Sequence, residues 1–181
     1  MSARKDLEEV RVRRRLVYRG RAVCFRADRI RLPNGNRAVR EFMDHPGAVA
    51  ALPLLGPRTI VLVEQYRYPV GTTTLEIPAG KLAPGEAPLR CLRRELREET
   101  GYRAARIRHL AQFWPTPAFS NELLRIYLAE GLTPGPSSPD EDEFLRVVRL
   151  PLAEALRRVG DGRIKDSKTV IALLTYRAQR R

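Results

Sequence analysis

The stretch GKLAPGEAPLRCLRRELREETGY, residues 80–102, decides how this chain is read. Gly80, Glu86, Arg94, Glu95, Glu98, Glu99 and Gly101 stand at fixed offsets within it, with apolar Leu96 between the last glutamates. Gly80 to Pro84-Gly85 reads as a loop, because glycine reaches backbone angles that other residues avoid and Pro-Gly marks a turn. A helix is predicted from near Glu86 to Thr100. Pro88 is tolerated in its first turn, and Gly101 suits the left-handed residue that ends many helices. Leu89, Leu92 and Leu96 recur at helical spacing and form a stripe for a core. Glu95, Glu98 and Glu99 lie three and four residues apart, so their carboxylates crowd a neighbouring face. A cluster of hard oxygen ligands is what Mg2+ or Mn2+ requires, especially where substrate phosphates complete the shell.

Taken singly, a glutamate triplet on an Arg-rich helix is an ordinary solvated face, with Arg94–Glu98 as a surface pair. Here it comes in register with a loop, two glycines and an apolar stripe. Seven fixed letters at ordinary residue usage coincide in one register about once in 10^8. Metal binding is therefore the expected role.

The rest of the composition bounds the answer. At 181 residues, 43% hydrophobic and 30% charged, the chain is long enough for one domain with a sizeable core. No apolar run approaches the 18 or so residues of a membrane span, so no membrane partner is expected. No secretory leader is expected either, and the localisation read from the sequence is cytoplasmic. Cys24 and Cys91 are too few for a disulfide framework and are expected as free thiols. Net charge is +13, and residues 1–40 hold 13 Lys/Arg against 4 Asp/Glu. These charges alternate with apolar residues, which fits the solvent face of strands better than a nucleic-acid-binding tail; no nucleic acid is expected as partner. The same field favours an anionic substrate. His45 and His109 show no metal-site spacing.

Along the chain, strands are predicted over Val10–Val17, Ala22–Leu32 and Arg37–Phe42, with a hairpin turn at Pro33-Asn34-Gly35-Asn36. That makes a small N-terminal antiparallel sheet region, residues 1–45, ahead of a main domain over residues 46–181. Further strands are expected at Ala48–Leu55, Thr59–Tyr66, Thr72–Ile77, Arg106–Trp114, Leu123–Leu128 and Phe144–Leu150. Helices are expected at Leu152–Val159 and Asp166–Gln179. This order implies an α/β fold, a mixed sheet flanked by helices.

The pattern in residues 80–102 resembles the Nudix box, G-x5-E-x7-R-E-U-x-E-E-x-G-U, where U is bulky and apolar; Tyr102 stands at the last position. Flanking segments are similar to the ADP-ribose pyrophosphatase branch of that superfamily: Glu64-Gln65-Tyr66-Arg67-Tyr68-Pro69, Leu75-Glu76-Ile77-Pro78-Ala79-Gly80, Pro117 sixteen residues beyond Gly101, the acidic loop Pro139–Glu143, and GRIKDSKTVIALL at Gly162–Leu174. Together they span nearly the whole chain.

The resemblance implies an α/β/α sandwich and a homodimer that pairs through the N-terminal strands. It implies metal-dependent hydrolysis of the pyrophosphate bond of a nucleoside diphosphate compound, ADP-ribose first. GDP-mannose, ADP-glucose, NADH, FAD or capped RNA are the rival substrates, and a non-catalytic binding module is the rival class. Two to three Mg2+ ions, or Mn2+, would be held by Glu95, Glu98, Glu99, Glu143 and the carbonyl of Ala79. Arg94 would orient a box glutamate. Glu141 matches the general-base position, with Glu98 second. Arg40, Arg67, Glu76 and Pro117 match substrate-contacting positions.

Overall fold

Period-two alternation in three strands builds the main core. The computed structural model describes residues 6–138 and 143–180. In β5 (Ala48–Leu55), Val49 and Ala51 face one way while Ala48, Ala50, Leu52 and Leu54 face the other. Val61 opposes Ile60 and Leu62 in β6 (Thr59–Arg67), and Tyr127 and Ala129 oppose Ile126 and Leu128 in β10 (Leu124–Pro134). A sheet buried on both faces must be covered on both. The box helix α1 (Pro88–Thr100) covers the first face through Cys91, Leu92 and Leu96. On the second, α2 (Leu152–Gly160) and α3 (Ser167–Gln179) bring Ala155, Ala172, Leu173 and Tyr176. The expected mixed sheet between helical layers is thus the architecture of this unit.

The sheet runs β11 (Leu145–Pro151), β6, β5, β10, β9 (Tyr102–Phe113). The β5–β10 pair is parallel and the others are antiparallel. Two short strands bring the chain to the box: β7 (Thr72–Glu76) pairs with β6, and β8 (Ala79–Lys81) pairs with Ala48–Ala50 of β5. A 3-10 turn, Tyr68–Val70, separates β6 from β7. This unit comprises Pro46–Phe113 and Leu123–Arg181.

The second unit comprises Met1–His45 and Trp114–Glu122. Its centre is β3 (Cys24–Arg31), paired along its length with β4 (Arg37–Met43). Along the other edge of β3, β1 (Val10–Arg13) and β2 (Leu16–Arg19) take opposite ends. The first predicted strand is therefore split, at Arg14-Arg15. The reason lies in β3: buried Asp28 accepts the Arg15 N–H at 3.0 Å, which diverts the ladder there. The predicted hairpin turn forms, with Gly35 at φ 88° and its N–H donating to the Leu32 carbonyl at 2.9 Å. Trp114–Glu122, placed by sequence with the main domain, packs in this unit, where Asn121 bonds Asp44 at 2.8 Å.

Two further expectations are corrected. The helix starts at Pro88, not Glu86, since Gly85 at φ 74° turns the chain just before. Leu89 is exposed and Cys91 takes its place in the core, because the buried stripe of α1 is Cys91, Leu92 and Leu96. Among the described residues no helix is long and apolar enough to cross a membrane, and both cysteines are free.

Candidate active site

Backbone pairing and helix periodicity bring the box together. Gly80 was expected in a loop for its backbone freedom, yet it lies in β8 and serves by its size. A Cβ there would overlap the carboxyl group of Glu95. The strand can pass directly beneath that side chain only because residue 80 has none. Gly101 behaves as expected: it closes α1 at φ 75° and its N–H donates to the Arg97 carbonyl at 2.8 Å.

Arg94 organises the glutamates. It donates through Nε to Glu86 Oε1 at 3.2 Å and through Nη2 to Glu86 Oε2 at 3.3 Å. Nη1 reaches Glu98 Oε2 at 3.0 Å and Glu95 Oε1 at 2.8 Å. One planar guanidinium thus serves three carboxylates, which an ammonium could not match. Glu86 in turn accepts the Ala83 N–H at 3.1 Å, pinning the loop that enters the helix.

Glu99 is the most buried of the group, 4% exposed, and accepts the Ala79 N–H at 3.3 Å. Burial, then the charges of Glu95 and Glu143, push its pKa up to about 8. Burial raises Glu95 too, against the opposing effect of Arg94 and with help from Glu98 and Glu143. Burial together with Glu95 and Glu86 pushes the neighbouring Cys91 thiol up to about 12, so it is unreactive packing and not a nucleophile.

Among the described residues, no three His, Cys, Asp or Glu side chains converge as a finished ligand set. Glu95 and Glu98 lean on Arg94, and Glu99 on the backbone of Ala79. The donor chemistry nonetheless fits a hard divalent cation. These are oxygen donors only, crowded and half-desolvated, and burial together with neighbouring carboxylates makes two of them resist ionisation. Glu143 is exposed just before β11 and is close enough for its charge to act on both. Glu141 lies outside the described residues.

A second constellation was only half legible in the sequence. Arg67, at the end of β6, makes a two-pronged pair with Glu76 at the end of β7, Nε to Oε1 and Nη2 to Oε2, each at 2.8 Å. Glu76 is 2% exposed and also bonds Thr74 Oγ1 at 2.6 Å and the ammonium of Lys168. Lys168 is held by Asp166 at 2.9 Å, and Asp166 caps α3 by accepting the Thr169 N–H at 3.0 Å. Burial opposes the charge on Glu76, but Arg67, Lys168 and Thr74 outweigh it and hold the carboxyl at about 2. Lys168, Thr74 and Asp166 were not singled out from sequence. The available signal was compositional: lysine occurs 4 times against 30 arginines, so a lysine marks a place where a compact ammonium is wanted.

Arg40 and Pro117 belong to the other unit. Arg40 pairs with Glu9, Nε to Oε2 at 2.9 Å. Pro117 lies in a turn in which the Thr116 carbonyl accepts the Phe119 and Ser120 N–H groups at 3.2 and 3.0 Å.

Residues 44–172 match the family described as NUDIX domain. The chain is similar to the methanol dehydrogenase activator of Bacillus methanolicus, 43% identical over 171 residues, covering 93% of this chain and 92% of that protein. It is similar to the ADP-ribose pyrophosphatase of Bacillus subtilis (strain 168), 38% identical over 171 residues with the same coverage, 93% and 92%. Among solved structures, an ADP compounds hydrolase superposes with a TM-score of 0.82 at 26% identity, covering 95% of this chain and 94% of that one.

Proposed function

The chain belongs to the Nudix family, and from that premise we propose that it hydrolyses the pyrophosphate bond of ADP-ribose to AMP and ribose 5-phosphate. The carrying observation is the glutamate cluster around Gly80 and Arg94, within a chain that resembles an ADP-ribose pyrophosphatase over 93% of its length. Carboxylates that burial and like charge keep from ionising mark a functional site, which favours the enzyme over a non-catalytic binding module.

Nudix hydrolases use divalent metal ions. Here two to three Mg2+ ions, or Mn2+, would be held by Glu95, Glu98, Glu99, Glu143 and the Ala79 carbonyl. Bound there, the metal supplies neutralisation of phosphate charge and acidification of a water. The chain's own residues do the rest. Arg94 keeps Glu95 and Glu98 oriented; Glu141, or else Glu98, takes the water's proton, worth about 10^2–10^4 in rate. Arg67 presents its remaining edge to substrate phosphate, aimed by the rigid pairing with Glu76. Arg40 and Pro117 are the further residues assigned to substrate contact. The protein acts as a cytoplasmic homodimer paired through its N-terminal strands, without nucleic acid as partner; an active species that is monomeric in solution contradicts that assembly.

Product analysis tests the reading. With Mg2+, purified protein is offered ADP-ribose beside GDP-mannose, ADP-glucose, NADH, FAD and capped RNA, and Glu99→Gln is run in parallel. AMP released fastest from ADP-ribose, and lost in the variant, supports it. Preference for another compound keeps the chemistry and overturns the substrate; undiminished turnover by Glu99→Gln overturns the site.

A further inference from the structure

The box helix carries a basic cavity of which the hydrolytic reading uses Arg94 alone. Arg90, Arg93, Arg94 and Arg97 recur at helical spacing along α1, and Arg103 joins them from the first residues of β9. With Leu96 and Ala104 as an apolar floor, they line a cavity of about 550 Å³. Small-molecule sites fall in the range of roughly 300–1,000 Å³.

The charges here are unbalanced. Arg94 is engaged by Glu86, Glu95 and Glu98, and Arg97 shares Glu98 at 3.3 Å. Arg90, Arg93 and Arg103 have no ion pair among the described residues. Like charges three and four residues apart repel along a helix. A concave wall on which three of five guanidinium groups have no ion pair among the described residues offers donors to phosphate oxygens, which take such forks in pairs.

We propose that this pocket is a second anion site, which takes the phosphate chain of a nucleoside di- or triphosphate or of inorganic oligophosphate. A single strand of nucleic acid calls for aromatic platforms along a basic track. None of the described lining residues is aromatic. The site goes beyond the hydrolytic reading and does not depend on the identity of the hydrolysed substrate.

Calorimetric titration of the metal-free full chain in chelator with sodium tripolyphosphate tests it, since without metal the glutamate cluster repels the probe. One site per chain is expected, with affinity falling steeply as salt rises. Arg93→Gln/Arg103→Gln should weaken binding by at least about tenfold while Mg2+-dependent turnover is retained, which also shows that the variant folds. Arg90→Gln should weaken it in the same direction. ATP binding as tightly as tripolyphosphate, and weakened by the same substitutions, identifies the phosphate chain as the feature read. ATP binding more tightly, again weakened, adds the nucleoside to it. No binding, binding indifferent to the substitutions, or tighter binding of a short RNA oligonucleotide overturns the proposal.

Discussion

The carboxyl group of Glu95 occupies the space that any side chain at residue 80 would need, so Gly80 and Glu95 are coupled through excluded volume. Pairing of β8 with Ala48–Ala50 holds the strand in place, and the helix holds Glu95 from the other side. The flexible end of Glu95 is what must yield to a methyl group.

Gly80→Ala should therefore impair catalysis as well as stability. A displacement of about 1 Å at a reacting group costs on the order of 10^2 in rate. The overpacking itself costs about 1–3 kcal/mol. Turnover at saturating Mg2+, measured beside the thermal midpoint, separates the two; an unchanged kcat would show that the place of Glu95 is not what Gly80 protects.

Arg94→Lys keeps the charge but not the fork. A lysine cannot bond Glu86, Glu95 and Glu98 together as Arg94 does. Loss of such an orienting group typically costs about 10–100-fold in metal affinity or activity. A Mg2+ titration of turnover should show the activation curve moved to higher concentration; a curve identical to wild type refutes the orienting role.

Burial and the neighbouring Glu95 and Glu143 charges hold the Glu99 pKa at about 8, above its ordinary 4.5. The folded chain thus binds this proton more tightly than the unfolded chain. The contribution of Glu99 to metal-free stability is then greatest below about 4.5 and is lost as pH rises toward 8, by on the order of 4 kcal/mol. Denaturant unfolding in chelator at pH 5, 6.5 and 8 checks this, and Glu99→Gln should flatten the slope. Metal affinity should run the other way, rising with pH until Glu99 is ionised. A pH-independent metal-free stability sinks this account.

Glu76 shows the opposite sign. With its carboxyl held at about 2 by Arg67, Lys168 and Thr74 against the cost of burial, its contribution is present above about 4.5 and lost as pH falls toward 2. Lys168→Met leaves a 2% exposed carboxylate with a half-exposed arginine as its one cationic partner. Removing one partner of a buried pair costs about 3–5 kcal/mol, and removing both charges recovers much of it. Chemical denaturation of Lys168→Met and of Lys168→Met/Glu76→Gln should show that order. A double variant less stable than the single contradicts it.

How much of this was legible beforehand depended on the range of the interaction. Arg94, Glu95, Glu98 and Glu99 lie within six residues of one helix, where helical spacing alone relates them, while Glu86 lies before the helix and joins them through Arg94. The same stretch misled on Leu89 and on the reason for Gly80. Whether an apolar residue is covered, or a glycine is there for space, depends on what packs against it. The Arg67–Glu76–Lys168 chain was missed as a unit, since Glu76 and Lys168 are 92 residues apart and meet only when α3 docks near the end of β7.

The amino-acid order determined the box, its helix, the free thiols, the hairpin at Gly35 and the alternation that makes a two-faced sheet. The thiols follow from there being only two cysteines, and the rest from periodicity and backbone preference within a turn or two of chain. Tertiary structure decided that Glu99 is buried, that Cys91 and not Leu89 completes the core, that Trp114–Glu122 belongs to the N-terminal unit, and that Lys168 and Arg67 share one carboxylate. Burial and long-range electrostatics are set by the elements that pack around a residue, and those are remote in sequence.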